Sequence, residues 1–158
     1  MFISADENPS QRWYGAFSNL SLFSSAKAYL AQVHSRADFC WLDSFSLESS
    51  ELLRVAKSLV KEQAPVVVLS AKPNESEAFG VLSVGVRGYC HVESVPEQFI
   101  EVAQVVNAGG YWVPPALVQR FATAALSAGS VQQQSLPEGF DRLTEREYQV
   151  AMAVGKGL

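Results

Sequence analysis

Three carboxylates and a hydroxyl stand where short apolar runs of this sequence end. Asp6 and Glu7 follow "MFISA", Asp43 closes "DFCWLD", and Ser70 closes "PVVVLS". An ionised carboxylate at the margin of a core is costly unless something pairs with it. Asp43 therefore either caps the next turn or belongs to a site. In open parallel sheets, ligand sites lie outside the carboxyl ends of the strands, where strand order reverses. If the first and third strands are neighbours, Asp6, Glu7 and Asp43 converge on one edge. Like charges that close raise one another's pKa unless a cation sits among them. Mg²⁺ suits such a place, because it takes a few carboxylates and keeps its other positions for water and phosphate oxygens. A carboxylate beside bound Mg²⁺ is also a nucleophile toward phosphorus, giving an aspartyl phosphate. Asp43 would be that nucleophile, and Ser70 would hold a phosphoryl oxygen. The plainer alternative stays open: acidic residues after strands often cap helices or lie in solvated turns, and Ser70 alone would be a turn residue.

The elements that must position these groups are legible from periodicity. Val66, Val67, Val68 and Leu69 follow one another without alternation, which suits a strand covered on both faces. "GYCHV" at 88–92 reads as a shorter strand and "LSLFS" at 20–24 as a further one. Between Glu48 and Gln63, Leu52, Val55, Ala56, Leu59 and Val60 fall on one helical stripe, with Glu51, Arg54, Lys57 and Lys61 elsewhere. From Pro96 to Gly110 the inward residues are Phe99, Ile100, Ala103 and Val106, and in "NESEAFGVLSVG" they are Phe79 and Leu82. Pro9 suits the first turn of a helix behind an Asn8 cap. Strands alternating with helices imply a parallel sheet with helices on both faces.

Composition bounds the rest. The chain has 158 residues, 48% hydrophobic and 18% charged, with a net charge of -4, which fits one domain of ordinary size and advertises no nucleic-acid surface. No apolar run approaches the roughly 20 residues of a membrane span, and "MFISADENPS" lacks the basic start and apolar core of a signal peptide. Cys40 and Cys90 lie within apolar runs without CxxC spacing, as buried thiols in a reducing cytoplasm do. Only His34 and His91 are present, so metal binding through Cys or His has little support.

After Gly110 the pattern changes. Residues 111–127 read as a turn at Pro114-Pro115 and an extra helix carrying Leu117, Val118, Phe121 and Leu126. Residues 128–142, rich in Ser, Gln, Gly and Pro, read as a linker. In residues 143–158, "LTEREYQVAMAVGKGL", Thr144 and Glu147 form a capping box and Leu143 staples onto Tyr148. One amphipathic helix behind a linker cannot bury its own apolar face, which points to the front part of a longer protein.

Taken together, these segments resemble a known family. "ADENP" is similar to the acidic-pair loop of response-regulator receiver domains, and "DFCWLD" to their third strand, ending on the phosphoacceptor Asp. "PVVVLSA" resembles their fourth strand, and "GVRGYCHVES" their fifth, with Tyr89 as the switch aromatic. The linker and final helix look like the opening of a NarL/LuxR-type helix-turn-helix domain. The resemblance implies an α/β, flavodoxin-like (CheY-like) fold over 1–110, with five parallel strands in the order 2-1-3-4-5, an order given generally for receivers. It also implies that Asp6, Glu7 and Asp43 hold Mg²⁺, that Asp43 takes phosphate from a histidine kinase, and that Ser70 tracks the phosphoryl oxygens. Tyr89 would report the change to the chain's own C-terminal DNA-binding domain, which lies beyond Leu158, DNA being reached only through that domain.

The departures from the family matter as much. Receivers place a Lys three residues beyond the switch aromatic, and that position is Val92, flanked by His91 and Glu93. Strand alternation turns His91 away if Val92 faces the pocket. Lys72, two residues past Ser70, reads as solvent-facing, and the turn "SFSLES" after Asp43 lacks the family's Pro. Losing one preorganised donor to developing negative charge costs about 3 kcal/mol, about 100-fold in rate. The expectation is an atypical receiver with weakened or absent Asp43 phosphorylation, or a phosphorylation-independent interaction and dimerisation module of a LuxR-type transcription factor. For the latter, Tyr89, Val95, Phe99 and Tyr111 are either a homodimer or interdomain face or ordinary core and rim residues. Relatives that bind a cyclic dinucleotide use a Trp-x-x-Arg type motif; "YWVPP" supplies Trp112 without the matching Arg. An aspartyl-nucleophile phosphatase would carry a second Asp where Phe45 stands, so an enzyme is not expected.

Overall fold

The uninterrupted apolar run at 66–69 becomes the centre of a sheet. A computed structural model describes residues 1–6, 10–32, 39–62 and 64–129. In chain order the elements are β1 (Phe2–Ile3), α1 (Gln11–Ala16), β2 (Leu22–Phe23), α2 (Ala26–Gln32), β3 (Cys40–Asp43), α3 (Ser49–Lys61), β4 (Val66–Ser70), α4 (Glu75–Ser83), β5 (Gly88–His91), α5 (Pro96–Asn107) and α6 (Pro115–Gly129). The five strands form one sheet in the order β2-β1-β3-β4-β5, every pairing parallel. This is the expected flavodoxin-like arrangement.

Successive strand residues point to opposite faces, and two core clusters divide them accordingly. Val66 and Val68 pack with Tyr89, with Leu52, Ala56 and Leu59 of α3, and with Ala78 and Val81 of α4. Val67, Leu69 and Cys90 pack with Trp13 of α1 and with Phe99, Val102 and Val106 of α5. The second cluster is aromatic. Phe2 stacks on Trp13 at 4.7 Å and on Trp41 at 5.4 Å between ring centroids, and Phe99 meets Trp41 edge-on at 5.5 Å. Gly85, at φ +103°, turns the chain from α4 toward β5 where a Cβ would sit 2.9 Å from Val60 Cγ1, so the position favours glycine on both counts.

Three local expectations are corrected. On α4 the fully buried residues are Ala78 and Val81, while Phe79 is 36% exposed because its ring turns toward Phe121 of α6. On α5, Val102 is buried in place of Ile100, which is 40% exposed; the helix presents the 99, 102, 106 stripe to the sheet. At α1 the cap among the described residues is Ser10, whose hydroxyl accepts from the Arg12 N–H at 3.3 Å; Asn8 and Pro9 lie outside them. The linker from residue 130 onward, the helix at 143–158, His34 and Glu7 also lie outside the described residues. No helix among the described residues is long and apolar enough to cross a membrane.

Candidate functional site

The register of β1 against β3 places Phe2 beside Trp41 and Ile3 beside Leu42, so the next pair along the two strands is Ser4 and Asp43. Both are buried, at 3% and 5% exposure. The Ser4 hydroxyl donates to Asp43 Oδ2 at 2.7 Å, and the Phe45 backbone N–H donates to Asp43 Oδ1 at 3.0 Å. The Asp6 N–H in turn donates to Ser4 Oγ at 3.1 Å. The turn that brings the Phe45 N–H back onto Asp43 continues through Ser46 in a left-handed conformation, φ 61°, in the segment where the resembled family has a Pro.

Burial pushes the Asp43 carboxyl above its ordinary pKa; the hydrogen bonds from Ser4 and the Phe45 N–H oppose the rise and the Asp6 carboxylate adds to it. The Asp6 carboxylate is thus near enough to add to the charge felt at Asp43. Two hard oxygen donors that repel one another fit Mg²⁺, which binds through one or two carboxylates and retains waters. Among the described residues no cluster of three or more metal-ligating side chains forms. Asp43 and Ser4 line a cleft of about 680 Å³ between α2 and α3, whose walls include Leu30, Leu47, Lys27 and Arg54. Neither cation pairs with Asp43: among the described residues Asp43 makes no ion pair, and Arg54 lies 3.6 Å from Glu51 instead.

Val92 occupies the place of the resembled family's Lys. Its side chain packs against the cluster formed by α1 and α5, and its carbonyl accepts from Trp13 Nε1 at 3.0 Å. The following Glu93 is held by the Ser10 hydroxyl at 3.1 Å and by Arg12 at 3.6 Å. His91 is exposed, its Nδ1 accepting from the Glu93 N–H at 2.9 Å. Lys72 is exposed as expected.

Ser70 and Tyr89 form a separate group. Ser70 Oγ accepts from the Lys72 N–H at 3.3 Å, and strand alternation turns it to the α3 and α4 face. The Tyr89 ring is fully buried. Its hydroxyl accepts from the Asn74 N–H at 3.0 Å and donates to Glu77 Oε1 at 2.9 Å. Burial lifts the phenol to about 12, against the hydrogen bonds from Ser70 and Asn74 and with Glu77 adding to the rise. Tyr89 and Phe99 are therefore core residues and not an exposed dimer face; of that set only Val95, at 51%, is well exposed.

Ser4 was not among the residues singled out by sequence, although it touches Asp43 directly. The available signal was positional: in a 2-1-3 order, a hydroxyl one residue past an apolar pair on the first strand lies beside the last residue of the third.

No protein-family model matches the chain, and no curated protein matches it. Several solved structures share its fold. A LuxR family DNA-binding response regulator from Silicibacter pomeroyi is 19% identical with a TM-score of 0.53, the match covering 72% of this chain and 94% of that one. A two-component response regulator of the LuxR family from Aurantimonas sp. SI85-9A1 is 16% identical with a TM-score of 0.57, covering 68% and 78%. A response regulator receiver protein from Pseudoalteromonas atlantica is 15% identical with a TM-score of 0.55, covering 68% and 96%. At these identities the likeness is one of fold.

Proposed function

We propose that this chain is the signal-receiving domain of a two-component-type transcriptional regulator, cytoplasmic and regulatory rather than enzymatic, and that Asp43 is a poor phosphoacceptor. The observation that carries the second half is that Asp43 has both carboxylate oxygens held by the protein and, among the described residues, no cation paired with it, Val92 being packed into the apolar cluster. The fold shared with LuxR-family response regulators supports the first half.

Phosphoryl transfer to an aspartate develops charge that a fixed cation stabilises. Here the groups that would hold Mg²⁺ are Asp6 and Asp43, with Glu7, next in the sequence, as the further candidate; the ion when bound would neutralise phosphoryl oxygens. To attack, Asp43 must release the Ser4 hydroxyl or the Phe45 N–H from the oxygen it holds. That requirement slows transfer from a histidine kinase or a small phosphodonor. Signalling then rests on contacts with a partner, the expected ones being a DNA-binding domain and a second copy of the chain.

The test is mass spectrometry after incubation with acetyl phosphate and Mg²⁺. Little or no gain of one phosphoryl mass is expected in the native chain, and none in Asp43→Asn. Stoichiometric labelling within minutes, lost in Asp43→Asn, would show Asp43 to be an ordinary acceptor. Trp41, two residues before Asp43, gives a fluorescence readout of Mg²⁺ binding in the same samples.

A further inference from the structure

Tyr89 meets both the segment that leads into α6 and the helix itself. Its backbone N–H donates to the carbonyl of Trp112, before the helix, at 2.9 Å, and its ring shares a core cluster with Val113 and with Leu117 of α6. At its other end the hydroxyl holds the Asn74 N–H and Glu77 Oε1, which are the N-cap and first turn of α4. That same turn presents Glu75, whose Oε1 lies 3.0 Å from Arg120 of α6. One turn on, Phe79 meets Phe121 of α6 edge-on at 6.4 Å between centroids.

The contact between α4 and α6 is not closed packing. A cleft of about 490 Å³ separates them, bounded by Asn74, Glu75, Leu117 and Arg120. The charged pair is exposed on both sides, at 69% and 45%, and such pairs contribute little by themselves. The seating of α6 on α4 therefore depends on where the first turn of α4 is held. Farther along, Leu126 is 76% exposed, and no residue of α6 beyond Phe121 belongs to either core cluster.

We propose that α6 is a strap whose seating on α4 is set by the Tyr89 hydroxyl. With both bonds made, Glu75 and Phe79 stand where Arg120 and Phe121 meet them; with the hydroxyl withdrawn, the first turn of α4 loosens and the strap lifts. The device operates whether or not Asp43 carries phosphate.

Hydrogen exchange with mass readout on the full chain tests this. Tyr89→Phe should speed exchange of amides in 115–121 by about fivefold or more, the effect of about one lost hydrogen bond, while α1 and α5 keep wild-type rates. Phe121→Ala should free α6 without loosening 75–79, and adding Tyr89→Phe to it should gain nothing further in α6, since coupled residues are non-additive. Glu77→Ala removes the acceptor from outside the core and should act like Tyr89→Phe; if Tyr89→Phe does not fold, Glu77→Ala decides the matter alone. Glu77→Gln keeps an acceptor oxygen and should restore the wild-type rate. Loosening of α4 with α6 unchanged, or equal loosening of every element, would overturn the proposal.

Discussion

Ser4 Oγ lies 2.7 Å from Asp43 Oδ2, across the boundary between β1 and β3. Neither residue is exposed enough for water to replace the other. The hydroxyl that stabilises the carboxylate is thus also the group that occupies one of its two oxygens.

Ser4→Ala removes that donor and leaves a buried carboxylate oxygen without its bond. Hydrogen bonds to charged groups contribute about 1.5–3 kcal/mol, and urea unfolding at neutral pH should show a loss in that range. Because the bond favours the ionised form, the loss should shrink in acid, where the carboxyl is protonated. An equal loss at all pH values would mean that Ser4 acts by packing alone.

Asp43→Asn addresses the charge. The folded-state pKa is raised above the unfolded one, mainly by burial, so the folded chain holds this proton more tightly. Stability from that source is present below the unfolded value and is lost as pH rises through the folded value. Thermal unfolding should therefore show Asp43→Asn more stable than wild type at neutral pH, the difference fading in acid below the ordinary carboxylate value of 3.8. A destabilised variant at neutral pH would show that the bonds from Ser4 and Phe45 outweigh desolvation.

Val92→Lys restores the cation of the resembled family at the end of β5. Acetyl phosphate labelling of Asp43 should quicken by about 100-fold, the scale of one well-placed charge on a developing oxyanion. Val92 packs on the α1 and α5 cluster, so a fall in stability of about 1–3 kcal/mol should accompany the gain. Unchanged labelling in a folded variant would place the obstacle at Ser4 and not at residue 92.

Phe99 is fully buried and meets Trp41 edge-on. Phe99→Ala should cost about 3–5 kcal/mol, read from the shift in a denaturant midpoint followed by tryptophan emission.

Cys40 and Cys90 are buried free thiols, each pushed up to about 12 by burial. A thiol-reactive disulfide reagent at pH 8 should leave both unmodified in the folded chain and titrate both after denaturation. Fast native labelling of either would imply that the sheet opens locally.

Much of the fold was legible because burial on two faces leaves a signature in sequence. Val66 to Leu69 in succession suit a strand covered on both faces, and the helices at 49–61 and 96–107 carry apolar stripes. Errors fell where a second layer changed which face was inside. Phe79 looked like core by spacing, yet α6 offers it Phe121, a contact between residues 42 positions apart in the chain. Ile100 and Val102 are both apolar, and only the angle at which α5 lies on the sheet selects Val102.

The sequence by itself determined that carboxylates follow the first strand and end the third, and that a hydroxyl ends the fourth. Those are properties of residue type and strand length, which local patterning encodes. Tertiary structure decided that Asp43 spends both oxygens on Ser4 and the Phe45 N–H and that Ser70 accepts from the Lys72 N–H. It also decided that Tyr89 turns inward to hold α4. Hydrogen-bond partners are settled by strand register and by which face each side chain takes, and neither is fixed until the strands pair.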